Sequence, residues 1–285
     1  MLKTIAYIGY GFVGKACHHA FKHNCEAIII DPKYSETTIQ ELEIFRPRLT
    51  FVAVSAPTQE DRTIDTSAIY DVFRQLAEIK YDGLVVLKST LTPDIVDDLY
   101  QKFGQSKIMK KSGPLRYIYS PEFLTERNWE EDVLSPDQII LGGEFLDCKE
   151  LEGYYRNHSH VRHPRFHICS YKEASLAKYA INTYLASKVV FMNQLYTLYA
   201  DMDEGKTPHP EMWNHFIEML VSDIRFGISH NDVPGPDGKY GYGGSCFPKD
   251  VKALIGYDKK ERLSILREVE LSNTRIRLTG PGKSK

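Results

Sequence analysis

The stretch that most restricts this chain is TIAYIGYGFVG, residues 4–14. A short apolar run leads straight into Gly9, Gly11 and Gly14, and KACHHAFKHN (15–24) then reads as a helix. Strand, tight turn and helix form the context in which a G-x-G-x-x-G pattern binds a dinucleotide. The glycines permit the turn and let backbone approach a pyrophosphate, while the helix N-terminus offers N–H donors to its oxygens. Phe12 and Val13 lie inside the pattern and belong to the same candidate cofactor contact. A second run, EAIIID, ends at Asp31, 20 residues after Gly11. A carboxylate there accepts hydrogen bonds from a ribose diol and repels a 2′-phosphate, so the expected cofactor is NAD rather than NADP.

Further β-rich runs follow at LTFVAVS (49–55), GLVVLKST (83–90), RYIYS (116–120) and DQIILGG (137–143), with helical stretches between several of them. The expected fold class is α/β, a Rossmann-type, doubly wound and mainly parallel sheet, followed by an all-helical domain. Ligands gather beyond the carboxyl ends of such strands, which makes Ser55, Pro57 and Thr58 of VSAPT, with Ser89 and Thr90 of KST, candidate contacts. From about residue 171 the texture changes to one long stretch without proline or glycine, YKEASLAKYAINTYLASKVVFMNQLYTLYADM. A helix around PEMWNHFIEMLVSDI, the Gly/Pro-rich loop SHNDVPGPDGKYGYGGSC, and two helices in FPKDVKALIGY and ERLSILREVELSNTRIRL complete the chain. A length of 285 residues suits two units. The expected organisation is an NAD-binding domain at 1–150, a helical domain carrying a cysteine loop at 171–275, and a frayed tail at 276–285.

Charge and cysteine content exclude several function classes. Net charge is −2, which supplies no broad positive field and argues against nucleic acid as a partner. The five cysteines are an odd number with no C-x-x-C spacing, so neither a disulfide framework nor a cysteine-rich zinc site is expected, and a reducing cytoplasm fits. No apolar run approaches the ~18 residues of a membrane span, and the glycine-broken first run is unlike a signal peptide, so no membrane partner is expected. HSHVRHPRFH (158–167) has no acidic neighbours to complete a ligand set; it reads as a polar connecting loop, and no metal is expected.

GYGGSCFPKD (241–250) is the stretch that asks for chemistry. A free cysteine is most often a small hydrophobe filling a crevice. Around Cys246, however, Gly241, Gly243 and Gly244 clear the approach for a bulky polar ligand. Lys249 adds a positive group that favours a thiolate, and Asp250 a carboxylate able to position water. On the long helix, Lys178, Asn182, Leu185, Val189 and Met192 fall on one line, so two polar residues continue an apolar stripe. Either Lys178 snorkels to solvent, or a lysine and an amide one turn apart face developing negative charge on oxygen. SPEFLTE places Glu122 and Glu126 four apart after a strand; in a helical turn both would face one way, as an acid/base pair or as a solvated helix start with Pro121 first.

Together GYGFVG, KST, SPEFLTE, KYAINTYLASKVVFMNQ and VPGPDGKYGYGGSCFPKD resemble, in order and spacing over residues 1 to about 275, the UDP-glucose/GDP-mannose dehydrogenase family. The resemblance implies a four-electron oxidation of a sugar-nucleotide 6-hydroxyl to a carboxylate with NAD, UDP-glucose being the default substrate. By resemblance Cys246 is the nucleophile that holds the aldehyde as a thiohemiacetal and then a thioester. Lys178 and Asn182 resemble the oxyanion stabilisers, Asp250 and Thr90 the water-handling pair, and Glu122 the general acid/base. Glu126 and Lys249 then lie near the cofactor, while Phe123, Leu124, Arg225, Tyr242 and Gly243 contact the substrate. Two departures stand out. Arg127 replaces the glycine usual after the second glutamate, and the family continues into a third, nucleotide-gripping domain where this chain stops at SNTRIRLTGPGKSK. A shortened form is therefore expected, with a homodimer or a partner chain supplying the missing nucleotide contacts. The competing expectations are a catalytically silent NAD-binding or assembly protein, a dehydrogenase of another sugar nucleotide, and a hydroxyacid dehydrogenase of related layout that would have no use for the thiol.

Overall fold

The structure is a computed structural model that describes residues 3–104, 114–125, 128–202 and 209–280. In chain order it contains β1 (Thr4–Ile8), α1 (Phe12–Phe21), β2 (Glu26–Ile30), α2 (Leu42–Phe45), β3 (Leu49–Val52), α3 (Ser67–Glu78), β4 (Leu84–Leu87) and α4 (Pro93–Leu99). There follow β5 (Arg116–Tyr119), α5 (Trp129–Leu134), β6 (Gln138–Gly142), α6 (Phe145–His158), β7 (Arg165–Cys169) and α7 (Tyr171–Asp201). The last three helices are α8 (Pro210–Val221), α9 (Phe247–Tyr257) and α10 (Ser264–Thr279). Two compact units divide the chain: residues 1–59 with 64–178, and residues 60–63 with 179–285. The first unit runs past residue 150 to Lys178, because β7 belongs to its sheet and α7 begins within it.

In the first unit the seven strands run in the order β2-β1-β3-β4-β5-β6-β7. β1 to β5 are parallel; β6 pairs antiparallel with β5 through Tyr119 and Gly142, and β7 runs parallel to β6. Both faces are covered, which is why the central strands read as continuous apolar runs rather than alternating ones. Ala6, Ile8, Val52, Val85, Leu87, Tyr117 and Tyr119 pack against α3 and α4. Ile5, Tyr7, Leu49, Phe51, Leu84, Val86 and Ile118 pack against α1 and α6. The order 2-1-3 reverses direction at β1, and an open sheet binds ligands at such a switch point, beyond the strand ends.

Two local expectations are corrected here. The His-rich segment 158–167 is a connecting loop only in part, because Arg165–Cys169 forms the edge strand β7. Its outward Arg165 and His167 and the preceding Pro164 make it read as a loop, yet these are ordinary features of an edge strand. Residues 121–125 form no helical turn, and the helix waits until Trp129. Asp132 of α5 accepts from Thr125 N–H at 2.8 Å and from Thr125 Oγ1 at 2.6 Å. Glu122 therefore lies in no helical turn here, and Glu126, the other residue of that expectation, lies outside the described residues.

The second unit is helical, with Met192, Tyr196, Trp213 and Val233 as a small core. Trp213 stands edge-on to Tyr196 at 5.0 Å between ring centroids. Residues 60–63 join it through an Arg62–Glu270 ion pair at 2.8 Å. α10 runs to Thr279, so the first residues of the expected tail at 276–285 are helical, with Ile276 buried. Among the described residues no helix is long and apolar enough to cross a membrane.

Candidate active site

The glycine turn of the first unit assigns a separate task to each glycine. Gly9 has φ +82°, and a Cβ there would stand 2.7 Å from Ala53 O. A Cβ on Gly14 would stand 2.1 Å from Gly9 O, so only glycine lets α1 pack this closely on the turn. At Gly11 nothing lies within 4 Å of the Cβ position, which leaves backbone open to a pyrophosphate. Asp31 closes the arrangement from the end of β2: Oδ2 accepts from Tyr10 N–H at 2.8 Å and Oδ1 from Lys33 N–H at 2.9 Å. The residues therefore fit a dinucleotide, whose phosphates the start of α1 would take and whose ribose diol Asp31 would accept from. Gly14→Ala should lower NAD affinity at least about tenfold and reduce Tm, because the clash is with backbone and cannot relax by a rotamer change. Calorimetric titration with NAD checks this; an unchanged affinity would refute the assignment of the turn.

Neighbouring strand ends complete this edge of the sheet. Ser89 Oγ donates to Val54 O at 2.6 Å, linking the KST and VSAPT segments. Ser55 and Pro57 are exposed, and Thr58 bridges to Ile64. Thr90 is half-buried next to Leu91, whose carbonyl accepts from Ser175 Oγ at 2.7 Å. That bond fixes the start of α7 against the end of β4 and places Lys178 one turn further along. Lys178 is buried, with Nζ 4.9 Å over the ring of Phe123. The 121–125 segment is neither helix nor strand. Phe123 packs with the α3/α4 face of the core, whereas Leu124 packs with the α1/α6 face. Glu122 forms an ion pair with Lys88. Lys88 was not among the residues singled out in the sequence, because a lysine following an apolar strand reads as its polar boundary.

In the second unit, Cys246 is the N-cap of α9 and the one exposed cysteine of the five. Its Sγ lies 3.6 Å from Ser245 Oγ. One turn on, Asp250 N–H donates to Cys246 O at 2.9 Å, and the Asp250 side chain is 1% exposed. Asn182 Nδ2 donates to Asp250 Oδ2 at 2.6 Å, and Lys249 forms an ion pair with Oδ1. A buried carboxylate is tolerable only with such partners, so the three residues form one network beside the thiol. Asn182, read in the sequence together with Lys178, is thus in contact with Asp250, read together with Cys246.

The glycine loop owes its shape to residues that sequence reasoning passed over. Buried Asn193 accepts from Gly241 N–H at 3.0 Å. Asn273 accepts from Tyr242 N–H at 2.7 Å and donates to Tyr242 O at 3.1 Å. A Cβ on Gly243 would stand 2.5 Å from the Arg277 guanidinium, which is held by Asp237 at 2.9 Å. Lys188 Nζ gathers the carbonyls of Phe226, Gly227 and Ser229 at 3.0, 3.0 and 2.6 Å. Arg225, the expected substrate contact beside that turn, is exposed and engaged with Asp223. That pairing holds the Asp223 carboxyl below the usual range. Among the described residues no group of three or more His, Cys, Asp or Glu is placed to hold a metal ion.

Comparison with known proteins bears on both units. Residues 26–158 match the NAD binding domain of the UDP-glucose/GDP-mannose dehydrogenase family, and residues 172–275 match its central domain. The UDP-glucose 6-dehydrogenase of Pseudomonas aeruginosa is 32% identical over 243 residues, covering 79% of this chain and 48% of the relative. The chain spans about half the length of the curated relatives it matches. A UDP-glucose dehydrogenase from Pyrobaculum islandicum superposes with a TM-score of 0.74 at 24% identity, over 97% of this chain and 69% of that one. A Mycobacterium tuberculosis 3-hydroxyisobutyrate dehydrogenase superposes with a TM-score of 0.69 at 11% identity, over 99% and 96%. These two superpositions establish the fold alone.

Proposed function

Because this chain belongs to the UDP-glucose/GDP-mannose dehydrogenase family, we propose that it oxidises the 6-hydroxyl of a sugar nucleotide to a carboxylate with NAD. UDP-glucose is the first substrate to test, since the curated relatives carry that name. The observation that carries the reading is the exposed Cys246 thiol at the start of α9, one turn from the buried Asp250 held by Asn182 and Lys249. A hydroxyacid oxidation has no task for such a thiol.

Bound at Gly9–Gly14 and Asp31, NAD supplies the hydride acceptor. Cys246 adds to the aldehyde carbon and holds it as a thiohemiacetal, which becomes a thioester on losing hydride. Lys178 and Asn182 offer N–H donors to the oxyanion, and Glu122 exchanges the proton of the substrate hydroxyl. Asp250, with Thr90, directs the water that cleaves the thioester and frees the thiol. Glu126, Phe123, Leu124, Arg225, Tyr242 and Gly243 enter the proposal as cofactor or sugar-nucleotide contacts. A second copy of the chain or a separate chain contributing to nucleotide binding belongs to the same proposal.

The test is NADH formation by the purified chain with UDP-glucose, other UDP- and GDP-sugars, and short 3-hydroxy acids. About two NADH per sugar nucleotide is the expected result. Turnover of a hydroxy acid instead would transfer the reading to the fold's other occupant, and silence with every compound would support an NAD-binding protein without this chemistry. Cofactor choice gives a separate prediction. Asp31→Ala should narrow the preference for NAD over NADP by about tenfold, as the carboxylate that repels a 2′-phosphate is gone. NAD itself should also bind less well, because Tyr10 N–H loses its acceptor. An unchanged ratio of the two affinities would remove Asp31 from cofactor selection.

A further inference from the structure

An ammonium group leaves water at high cost, recovered only through an opposite charge and further hydrogen bonds. Lys88 follows β4, donates its N–H to Val52 O at 2.8 Å, and has a side chain only 2% exposed. Nζ donates to Ser120 Oγ at 3.1 Å and pairs with Glu122 Oε1. Ser120 N–H in turn donates to Leu87 O at 2.9 Å, so the adjacent ends of β4 and β5 hold these groups in register. The Glu122 side chain is 19% exposed. The pair is therefore one-sided: its ammonium is sealed and its carboxylate is open.

Among the described residues, Cys17 from α1 and Tyr155 from α6 are titratable groups that feel the pair. Burial pushes the Cys17 thiol up to about 12 and the Tyr155 phenol well above its ordinary value, so both are neutral near pH 7. Lys178 attends Phe123, which packs with the other face of the core. Stability alone is a poor reason for the arrangement, since a buried pair is often replaceable by apolar groups at no loss. Orientation is a better one. A glutamate in the non-helical segment after Pro121 would otherwise sample several rotamers, and the contact through Oε1 selects one direction for the carboxylate.

We propose that Lys88 is a positioning residue, a buried ammonium that aims the Glu122 carboxylate for proton exchange with the substrate. The inference rests on the reading of Glu122 given under Proposed function. It is tested in the full chain with Lys88→Met, Glu122→Gln and the double variant, each characterised by Tm, NAD affinity, and the kcat and KM of NADH formation. Lys88→Met should lower kcat about tenfold to a hundredfold while KM for the sugar nucleotide and NAD affinity stay within about twofold. The double variant should be no slower than Glu122→Gln, as Lys88 acts only through that carboxylate. Should Lys88→Met fail to fold, the double variant, which carries neither charge, decides by that same comparison. Multiplied losses in the double variant, or an unchanged kcat in Lys88→Met, would overturn the proposal. A fully active Glu122→Gln in a chain that oxidises sugar nucleotides would overturn the positioning role alone. A wild-type chain that oxidises none would overturn the functional reading, and the positioning role with it.

Discussion

Cys246→Ser should lower sugar-nucleotide-dependent NADH formation by about a thousandfold or more, leaving at most a slowly formed acyl ester on the new serine. An alkoxide is far harder to generate near neutral pH than a thiolate, and an oxygen ester leaves less readily than a thioester. The other cysteines offer no substitute. Burial pushes the Cys17 and Cys148 thiols up to about 12 and that of Cys169 up to about 11, while Cys25, also partly buried, is raised as well. A neutral thiol in an apolar setting is a poor nucleophile, so a single exposed thiol carries the prediction. Initial rates over a range of UDP-glucose concentrations, with intact mass before and after exposure to substrate, provide the measurement. Wild-type turnover by the serine variant would end the covalent reading without touching the family assignment.

The parts of this molecule that were legible in its sequence are those whose chemistry is local. Gly9, Gly11 and Gly14 form a turn whose demands fall on neighbouring residues, and Asp31 ends a strand directly beside it, so spacing alone located them. Cys246 and Asp250 lie on successive turns at one helix start, and their four-residue separation became a contact distance. Non-local chemistry was hidden. Lys88 meets Glu122 across two strand ends and 34 positions of sequence, and no periodicity announces such a pair. The same contact accompanies the non-helical course of residues 121–125, where a proline followed by acidic and apolar residues looks like a helix start. Asn193 and Asn273 resemble any other polar residue within a helix. Only the folded chain reveals that each satisfies backbone N–H groups of a loop some 30 to 50 residues away. β7 went unread because an edge strand needs only one apolar face and one row of hydrogen bonds.

That distinction between local and distant partners also determines which variant best exposes the last chemical step. Asp250→Asn retains an oxygen that can accept from Asn182 Nδ2, and Lys249, 27% exposed at its side chain, can turn its charge toward water. The fold should therefore survive, unlike in Asp250→Leu, which would leave a buried amide and an ammonium without their acceptor. What the asparagine lacks is basicity. If Asp250 directs the hydrolytic water, steps that precede hydrolysis proceed and the last one stalls. The expected result is a burst of about two NADH per chain followed by a steady rate lower by on the order of a hundredfold to ten-thousandfold. Intact mass should then find the sugar nucleotide held on Cys246 as a thioester, released by hydroxylamine. A uniformly slow reaction without burst or adduct would assign Asp250 to an earlier step, and a wild-type steady rate would show that its buried carboxylate serves the loop and not the water.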